Sequence, residues 1–404
     1  MSPPQKTSDD GLGSARAGLL VLAVAVFAAV TTELVPVGLL PQIGSAFDVR
    51  TSVAGLLVSA YAVMVTVLSV PLALATRRLP RKPVLLALLG GYVVSNVVAA
   101  TAPTFEVLAA ARVIGGITHA LFFSVSIGYA ARLVPSTMTG RAMALASVGV
   151  SGGLVLGVPF TTALGDALGW RAAFGALAVL VALVLVLAAL VLPPVDGPQD
   201  SVTGYPGRRR DLGAVVVANG LTYLGTYVLY TYVSVLLLES GVAQRWVAPT
   251  LLLFGVCGLL GLRVAAGHLD HRPRSSAVLI PVLIAAGAGA VALAHPHLAP
   301  VVVAGMVWLA AFGPAASLYQ SASIRTGASA PETAGAWINA SSNAGIAGGA
   351  AVGGAVMAQS GLAGVAWASA AIVVAAAVLA VVSVSAFPPA SPPPAARRGQ
   401  SEGT

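Results

Sequence analysis

The feature that most constrains this chain is a series of twelve apolar runs, each long enough to cross a lipid bilayer. A membrane-spanning helix needs about 20 mostly apolar residues. The runs lie near 17–43, 52–76, 83–102, 105–130, 141–163, 170–193, 212–238, 247–267, 276–294, 298–320, 335–357 and 362–386. Only 8% of the residues are charged, whereas soluble domains carry about 25%. We therefore predict an all-α integral membrane protein.

The basic residues of the loops predict its orientation. If the N-terminus is cytoplasmic, sixteen of the 21 Lys and Arg residues fall in cytoplasmic segments and three in outer loops. Positive charge accumulates on the cytoplasmic side of membrane proteins. We therefore expect a multi-pass protein of the inner (plasma) membrane with both termini in the cytoplasm. The net charge of +8 then reflects topology and contact with the lipid bilayer, and we expect no nucleic-acid partner.

A polar linker and an internal repeat divide the chain. Residues 194–211 are rich in Pro, Gly and charged residues, a composition typical of a flexible linker. A shift of 196 residues superposes four glycines of the fifth run, Gly149, Gly152, Gly153 and Gly157, on Gly345, Gly348, Gly349 and Gly353. We predict two six-helix bundles, 17–193 and 212–386, with cytoplasmic tails at 1–16 and 387–404. Parallel repeats of this kind occur in one large transporter architecture.

Three ionisable residues lie deep within predicted spans. Glu33 is in the middle of the first run, where a charge costs at least about 2.5–3.5 kcal/mol. It is either a proton carrier or a structural carboxylate paired with a base or hydroxyl. Arg112 and His119 share one face of the fourth helix, since residues three and four apart are neighbours. Arg112 needs a partner or a wet cavity, whereas His119 is either a titrating group or a packed, hydrogen-bonded histidine.

The seventh run carries a polar and aromatic stripe at helical spacing, formed by Asn219, Tyr223, Thr226, Tyr227 and Tyr230. Aromatic rings with a polar edge suit a drug-like ligand in a cavity. The alternative is an aromatic belt at the membrane interface, which fits Tyr230 better than Tyr223.

Several enzyme and ATPase signatures are missing from the sequence. It has no GxxxxGK[ST] or HExxH motif, so neither ATP nor a catalytic metal is the expected source of its activity. We expect no cofactor and no enzymatic function. A membrane-embedded transferase remains a remote alternative, which would need a cluster of acids or histidines at one membrane face.

Four segments resemble a known family. "TTELVPVGLLPQI" in helix 1, "ARVIGGITHALFFSV" in helix 4, "GVSGGLVLGVPF" in helix 5 and "INASSNAGIAGGAAVGG" in helix 11 are similar to the major facilitator superfamily. Within it they resemble drug:proton antiporters of the arabinose-efflux and chloramphenicol-efflux type. The resemblance implies twelve transmembrane helices in two pseudo-symmetric halves.

The resemblance also implies roles for individual residues. Glu33 matches the acid of helix 1 that takes part in proton coupling, and Arg112 matches the arginine of the helix 4 motif. The antiporter motif, a glycine ladder ending in Gly-Pro, is matched by Gly149, Gly153, Gly157 and Pro159, with Val158 separating the last glycine from the proline. The loop between helices 2 and 3, "ATRRLPRK", lacks the usual Asp. The second copy at 267–274 keeps one, so we expect the cytoplasmic gate at Asp270, Arg272 and Arg274.

Together these observations predict a monomeric, proton-coupled efflux transporter. We expect it to export a small amphiphilic molecule, such as a chloramphenicol-like antibiotic or a secondary metabolite, with the proton gradient as its energy source. A sugar or sugar-like exporter of the same fold is the alternative. The scarcity of charged candidates for a sugar-binding cavity counts against it.

Overall fold

A computed structural model describes residues 9–76, 78–133, 148–194, 207–329 and 331–387. These residues are almost entirely helical. The first half contains α1 Asp9–Ala46, α2 Thr51–Ala75, α3 Arg81–Ala100, α4 Phe105–Arg132, α5 Val148–Leu168 and α6 Trp170–Val191. The second half contains α7 Arg209–Glu239, α8 Gln244–His271, α9 Pro273–Ala294 and α10 Leu298–Arg325. The predicted start of the fifth span, 141–147, lies outside the described residues.

One long helical segment, Pro331–Val382, completes the fold. Gly361 interrupts it with φ 64° and ψ −170°, a backbone conformation that favours glycine. The break yields two spans, α11 (331–360) and α12 (362–382), followed by a short 3-10 helix at Val384–Ala386. Within the described residues, eleven helices are long and apolar enough to cross a membrane. The last of them is this segment, which the break at Gly361 divides into two spans, so the number of spans is twelve. The predicted twelve-helix fold is confirmed.

The helices present apolar side chains to the outside of the bundle as well as to its core. Along α6, for example, Phe174 and Val181 are buried, whereas Val179, Leu183 and Leu190 are more than half exposed. A water-facing surface of this length would be charged. The exposed leucine and valine side chains therefore identify a surface solvated by lipid, as expected of a multi-pass membrane protein.

The two ends of the bundle differ. We call one the linker end, because α6 ends and α7 begins there. Lys82 at the start of α3 donates to the carbonyls of Ala189 and Leu192 at the end of α6. Ser385, just after α12, donates to Asp211 at the start of α7. We call the opposite end, where α1 and α7 end, the far end.

Hydrogen bonds between the two halves lie towards the far end. Ser234 of α7 donates to the carbonyl of Val37 in α1 at 2.8 Å. Ser59 of α2 donates to the carbonyl of Ala347 in α11 at 2.8 Å. At the far end itself, Asp166 of α5 accepts from Gln244 of α8 at 2.6 Å. These contacts hold the halves together on that side.

Candidate functional site

The backbone of α1 is unusual next to Glu33. Pro36 and Pro41 lie inside this helix. A proline has no N–H, so it leaves the carbonyl four residues earlier without its helical partner. The two carbonyls affected are those of Thr32 and Val37. Both find a side-chain donor: Arg112 donates to Thr32 at 2.5 Å, and Ser234 donates to Val37 at 2.8 Å.

Arg112 is fully buried among three helices. Its second terminal nitrogen donates to the carbonyl of Glu33 at 2.5 Å, and its Nε donates to the carbonyl of Leu57 in α2 at 3.3 Å. The guanidinium carbon lies 4.2 Å from the centre of the Tyr61 ring, a cation–π distance. The positive charge is therefore fixed beside the backbone of Glu33 without a hydrogen bond to its carboxylate.

The Glu33 carboxyl faces His119 instead. Glu33 is 8% exposed, and its Oε2 lies 3.6 Å from Nε2 of His119. That separation allows an ion pair but is too long for a good hydrogen bond. The other carboxyl oxygen, Oε1, is buried and has no hydrogen-bond partner among the described residues. The arrangement places two ionisable side chains beside each other in the interior, where the cost of an isolated charge is high.

Two tyrosines hold the opposite edge of the His119 ring. The hydroxyls of Tyr61 and Tyr92 each lie 2.8 Å from Nδ1. A neutral imidazole has one N–H and one acceptor nitrogen. When a tyrosine hydroxyl donates to Nδ1, the ring proton is on Nε2 and faces Glu33. Glu33, His119 and the two tyrosines thus form a buried polar cluster joining α1, α2, α3 and α4.

The glycine ladder of α5 packs against α1, the helix that carries Glu33. A Cβ added at Gly149 would lie 2.3 Å from the carbonyl oxygen of Ala23, and one at Gly157 would lie 2.4 Å from the Thr31 hydroxyl. No real side chain fits at such distances. Glycine therefore permits the close approach of the two helices.

The same packing recurs in the second half. A Cβ added at Gly345 would lie 2.6 Å from the carbonyl oxygen of Gly220, and one at Gly353 would lie 2.3 Å from that of Val228. Both contacts join α11 to α7. The internal repeat in the sequence therefore corresponds to a repeated contact, α5 with α1 and α11 with α7.

The α5 ladder also contains a local irregularity. Residues Gly153–Gly157 form a π-helical turn, and Pro159 follows in the first turn of the next α-helical segment, Val158–Leu168. Because Pro159 has no N–H, the normal hydrogen-bond pattern cannot continue through this turn. Single π turns are frequent at functional sites.

The aromatic residues predicted to line a cavity cluster between α7 and α10. The rings of Tyr223 and Tyr227 are stacked, with centres 6.1 Å apart, and Tyr227 contacts Tyr230 at 5.4 Å. Phe312 of α10 lies 5.3 Å from Tyr223. Tyr223 and Tyr230 are partly exposed.

The polar members of the same stripe are fully buried. Asn219 donates to the carbonyl of Ile338 and to the hydroxyls of Ser341 and Ser342, at 2.7–3.1 Å. It therefore connects α7 with α11. The hydroxyl of Thr226 has no hydrogen-bond partner among the described residues.

The expected gate residues lie at the turn between α8 and α9. The side chain of Asp270 lies outside what the structure describes. Arg272 and Arg274 are exposed at the linker end. Of the first-half copy, Lys82 holds the end of α6, as described above. Nothing in this geometry tests a gating role, which stays a prediction.

Comparison with known proteins decides the family. Residues 21–330 match the Major Facilitator Superfamily. The chain belongs to the major facilitator superfamily.

Two relatives and one solved structure illustrate the similarity. A chloramphenicol efflux pump of Mycobacterium tuberculosis is 33% identical over 355 residues, which is 85% of this chain and 86% of that protein. A probable sugar efflux transporter of Mannheimia succiniciproducens is 29% identical, over 87% of this chain and 90% of that protein. An inward-facing, unoccupied bacterial homologue of the human lysosomal transporter Spinster superposes with a TM-score of 0.72 at 16% identity, covering 95% and 98% of the two chains. The last similarity concerns the fold alone.

This major facilitator transporter also uses residues that the sequence did not single out. Tyr61 and Tyr92 lie in apolar runs with no motif around them, and their contact with His119 depends on how α2, α3 and α4 pack. Asp166 belongs to no predicted site, yet it accepts hydrogen bonds from both Gln42 and Gln244. Among the described residues, no group of three or more His, Cys, Asp or Glu side chains is placed to hold a metal ion.

Proposed function

We propose that this transporter exports a small amphiphilic molecule, such as a chloramphenicol-like antibiotic or a secondary metabolite, in exchange for protons. The observation that carries the proposal is the buried Glu33 carboxyl, which lies 3.6 Å from His119 while Arg112 holds the backbone carbonyl of the same residue. An ionisable group at this depth is costly, and its position is best explained by a functional role.

The coupling follows from electrostatics. A proton arriving from the outside neutralises Glu33, and its departure to the inside restores a negative charge beside Arg112 and His119. Each change alters the stability of the polar cluster that ties α1 to α2, α3 and α4. Because α1 also contacts α7 through Ser234 and Val37, a change at Glu33 can bias the packing of the two halves.

The aromatic cluster supports an amphiphilic substrate. Tyr223, Tyr227, Tyr230 and Phe312 offer ring faces and hydroxyls, and no lysine or arginine belongs to this cluster. Flat, weakly polar molecules match such a surface. The similarity to a chloramphenicol efflux pump of M. tuberculosis favours the same substrate class.

The proposed cycle is alternating access. The bundles 17–193 and 212–386 rock about a site near the midplane, with Asp270, Arg272 and Arg274 as the proposed gate at the linker end. We further propose an inner-membrane location with both termini cytoplasmic, a monomer, and no cofactor beyond the proton gradient.

The test is transport by the purified full-length chain in proteoliposomes with an imposed pH gradient, with chloramphenicol first in a panel of amphiphilic drugs. We expect drug movement opposite to the proton gradient, abolished by an uncoupler and by Glu33→Gln. Glu239 is exposed, so Glu239→Gln is the matched control and should transport normally. Gradient-driven transport by Glu33→Gln at the wild-type rate would show that another group couples the proton.

Export of a sugar is the second candidate, favoured by the similarity to a probable sugar efflux transporter. The same proteoliposomes distinguish the two. If the pH gradient drove labelled mono- and disaccharides across the membrane and no drug moved, the substrate would be a sugar. The Glu33→Gln variant would then test the role of Glu33 with the sugar in place of the drug.

A further inference from the structure

An apolar groove runs along the outside of the bundle between α9 and α12. Small residues form its floor, and larger apolar side chains, among them Val282, Trp367 and Val378, form its walls. Its volume is about 690 Å³. The floor consists of Ala285, Gly289, Ala370 and Ala377. The groove is set apart from the Glu33 cluster, which lies within the first half.

This groove continues into a basic one at the linker end. The second groove, of about 660 Å³, is lined by the turn between α8 and α9 and by the segment after α12. Val278 lines both grooves, so they adjoin at this residue. The polar lining consists of His271, Arg272, Arg274, Ser275 and Ser385.

The charged side chains that the structure describes along the second groove are basic. Arg272 and Arg274 are both exposed, and arginine binds phosphate oxygens through paired N–H donors. In the part of the chain that the structure describes, no acidic side chain lines this groove. Asp211, at the start of α7, accepts a hydrogen bond from Ser385 at 2.7 Å, so the proton of that hydroxyl is already engaged.

The length of the apolar groove suits an acyl chain. From Val278 to Leu293, α9 rises about 22 Å at about 1.5 Å per residue. Half of a bilayer's hydrocarbon core is about 15 Å thick. A lipid of the leaflet at the linker end can therefore lay one chain along this groove while its phosphate reaches the two arginines.

We propose that these two adjoining grooves form one binding site for an anionic phospholipid. The phosphate binds between Arg272 and Arg274, and an acyl chain lies on the floor between α9 and α12. Basic pockets between transmembrane helices at the cytoplasmic side are a recognised form of lipid-binding site. A zwitterionic lipid carries a cation beside its phosphate and gains less from the two arginines. The proposal does not rest on the transported substrate or on proton coupling.

The test is photocrosslinking of the full-length chain in nanodiscs that contain trace phosphatidylglycerol or phosphatidylcholine with a photoactivatable acyl chain. Labelled peptides are then mapped by mass spectrometry. We expect peptides from 278–293 and 367–381 to be labelled by phosphatidylglycerol at least about fivefold more than by phosphatidylcholine, which is the preference expected of a single basic contact. The variant Arg272→Gln/Arg274→Gln should remove this preference. Arg245 is an exposed arginine at the far end, so Arg245→Gln is the matched control and should retain it.

A second experiment distinguishes binding of a whole lipid from binding of a free phosphate ion. Inorganic phosphate at millimolar concentration should leave the labelling unchanged, because it cannot use the apolar groove. If phosphate abolished the labelling, the basic groove would be a site for free phosphate. Equal labelling by the two lipids, or a preference that survives in the folded double variant, would show that the groove holds bulk lipid without selection. Any one of these three results overturns the proposal.

Discussion

The guanidinium of Arg112 donates a hydrogen bond to the carbonyl oxygen of Thr32, the carbonyl that Pro36 leaves without a helical partner. Ser234 fills the equivalent gap that Pro41 leaves at Val37. Buried carbonyls without a donor are costly, so each proline in α1 creates a specific attachment point. The first point is occupied from α4, within the same half. The second is occupied from α7, in the other half. The helix that carries Glu33 is thus fastened to both halves through defects in its own hydrogen bonding.

This attachment predicts that lysine cannot replace Arg112. A lysine keeps the charge but has one nitrogen, which cannot reach the three carbonyls of Thr32, Glu33 and Leu57 together. A hydrogen bond from a charged donor is worth about 1.5–3 kcal/mol, and the Thr32 carbonyl has no helical donor to replace it because of Pro36. We expect Arg112→Lys to lose at least about 2 kcal/mol of stability and to stop transport, measured by thermal unfolding in detergent and by the proteoliposome assay. Arg263→Lys, at an exposed position, is the control. Wild-type stability of Arg112→Lys would contradict this account.

The two tyrosines on His119 predict a redundant pair. Because either hydroxyl can donate to Nδ1, Tyr61→Phe or Tyr92→Phe alone should retain most of the transport. The double variant removes both donors and should reduce transport about tenfold or more, since Nδ1 is then buried without a partner. Transport rates across a range of pH values for the four chains complete a double-mutant cycle. Tyr319→Phe, a buried tyrosine that contacts Thr222, serves as the control. Additive effects of the two substitutions would argue against a shared acceptor.

The glycine ladder predicts a strong dependence on position. A methyl group at Gly149 meets a backbone oxygen of α1 at 2.3 Å, which can move only with the helix. We expect Gly149→Ala to cost about 1–3 kcal/mol by overpacking, and Gly353→Ala to behave alike in the second half. Gly175 of α6 has open space around it, so Gly175→Ala should be neutral or stabilise by up to about 1 kcal/mol. Thermal unfolding of the three variants measures the contrast, and equal effects at all three sites would refute it.

The contact of Asp166 with Gln244 predicts a bias in conformation. This hydrogen bond joins the halves at the far end, in an exposed position. Its loss is worth about 1 kcal/mol at most, or about a fivefold change in a two-state ratio. Gln244→Ala should therefore increase the population in which the far end is open. Spin labels attached at Arg50→Cys and Arg245→Cys in a Cys257→Ser background report the distance between the two halves at the far end, measured by pulsed electron paramagnetic resonance. An unchanged distance distribution would mean that Ser59 and Ser234 hold the far end closed without it.

Much of the architecture could be predicted because the bilayer imposes a simple rule. Runs of about 20 apolar residues must form helices there, since no water is present to pair the backbone. The number of spans could therefore be counted from the sequence, and the superposed glycines of α5 and α11 indicated the repeat. The ends of the helices were harder to predict. Only Gly361 separates α11 from α12 in the segment 331–382, and α7 and α10 extend further than their apolar runs.

The sequence by itself determined that this protein is a twelve-helix membrane protein with an acid in helix 1 and a basic pair on helix 4, because hydrophobic periodicity and the cost of buried charge act locally along the chain. Only the tertiary structure decided which groups meet. It directed the Arg112 guanidinium to backbone carbonyls and placed the Glu33 carboxylate next to His119. It also brought Tyr61 and Tyr92 to one nitrogen and joined the halves through Ser234, Ser59 and Asp166. Those contacts depend on how helices distant in the sequence approach and rotate against one another, and no local pattern records that geometry.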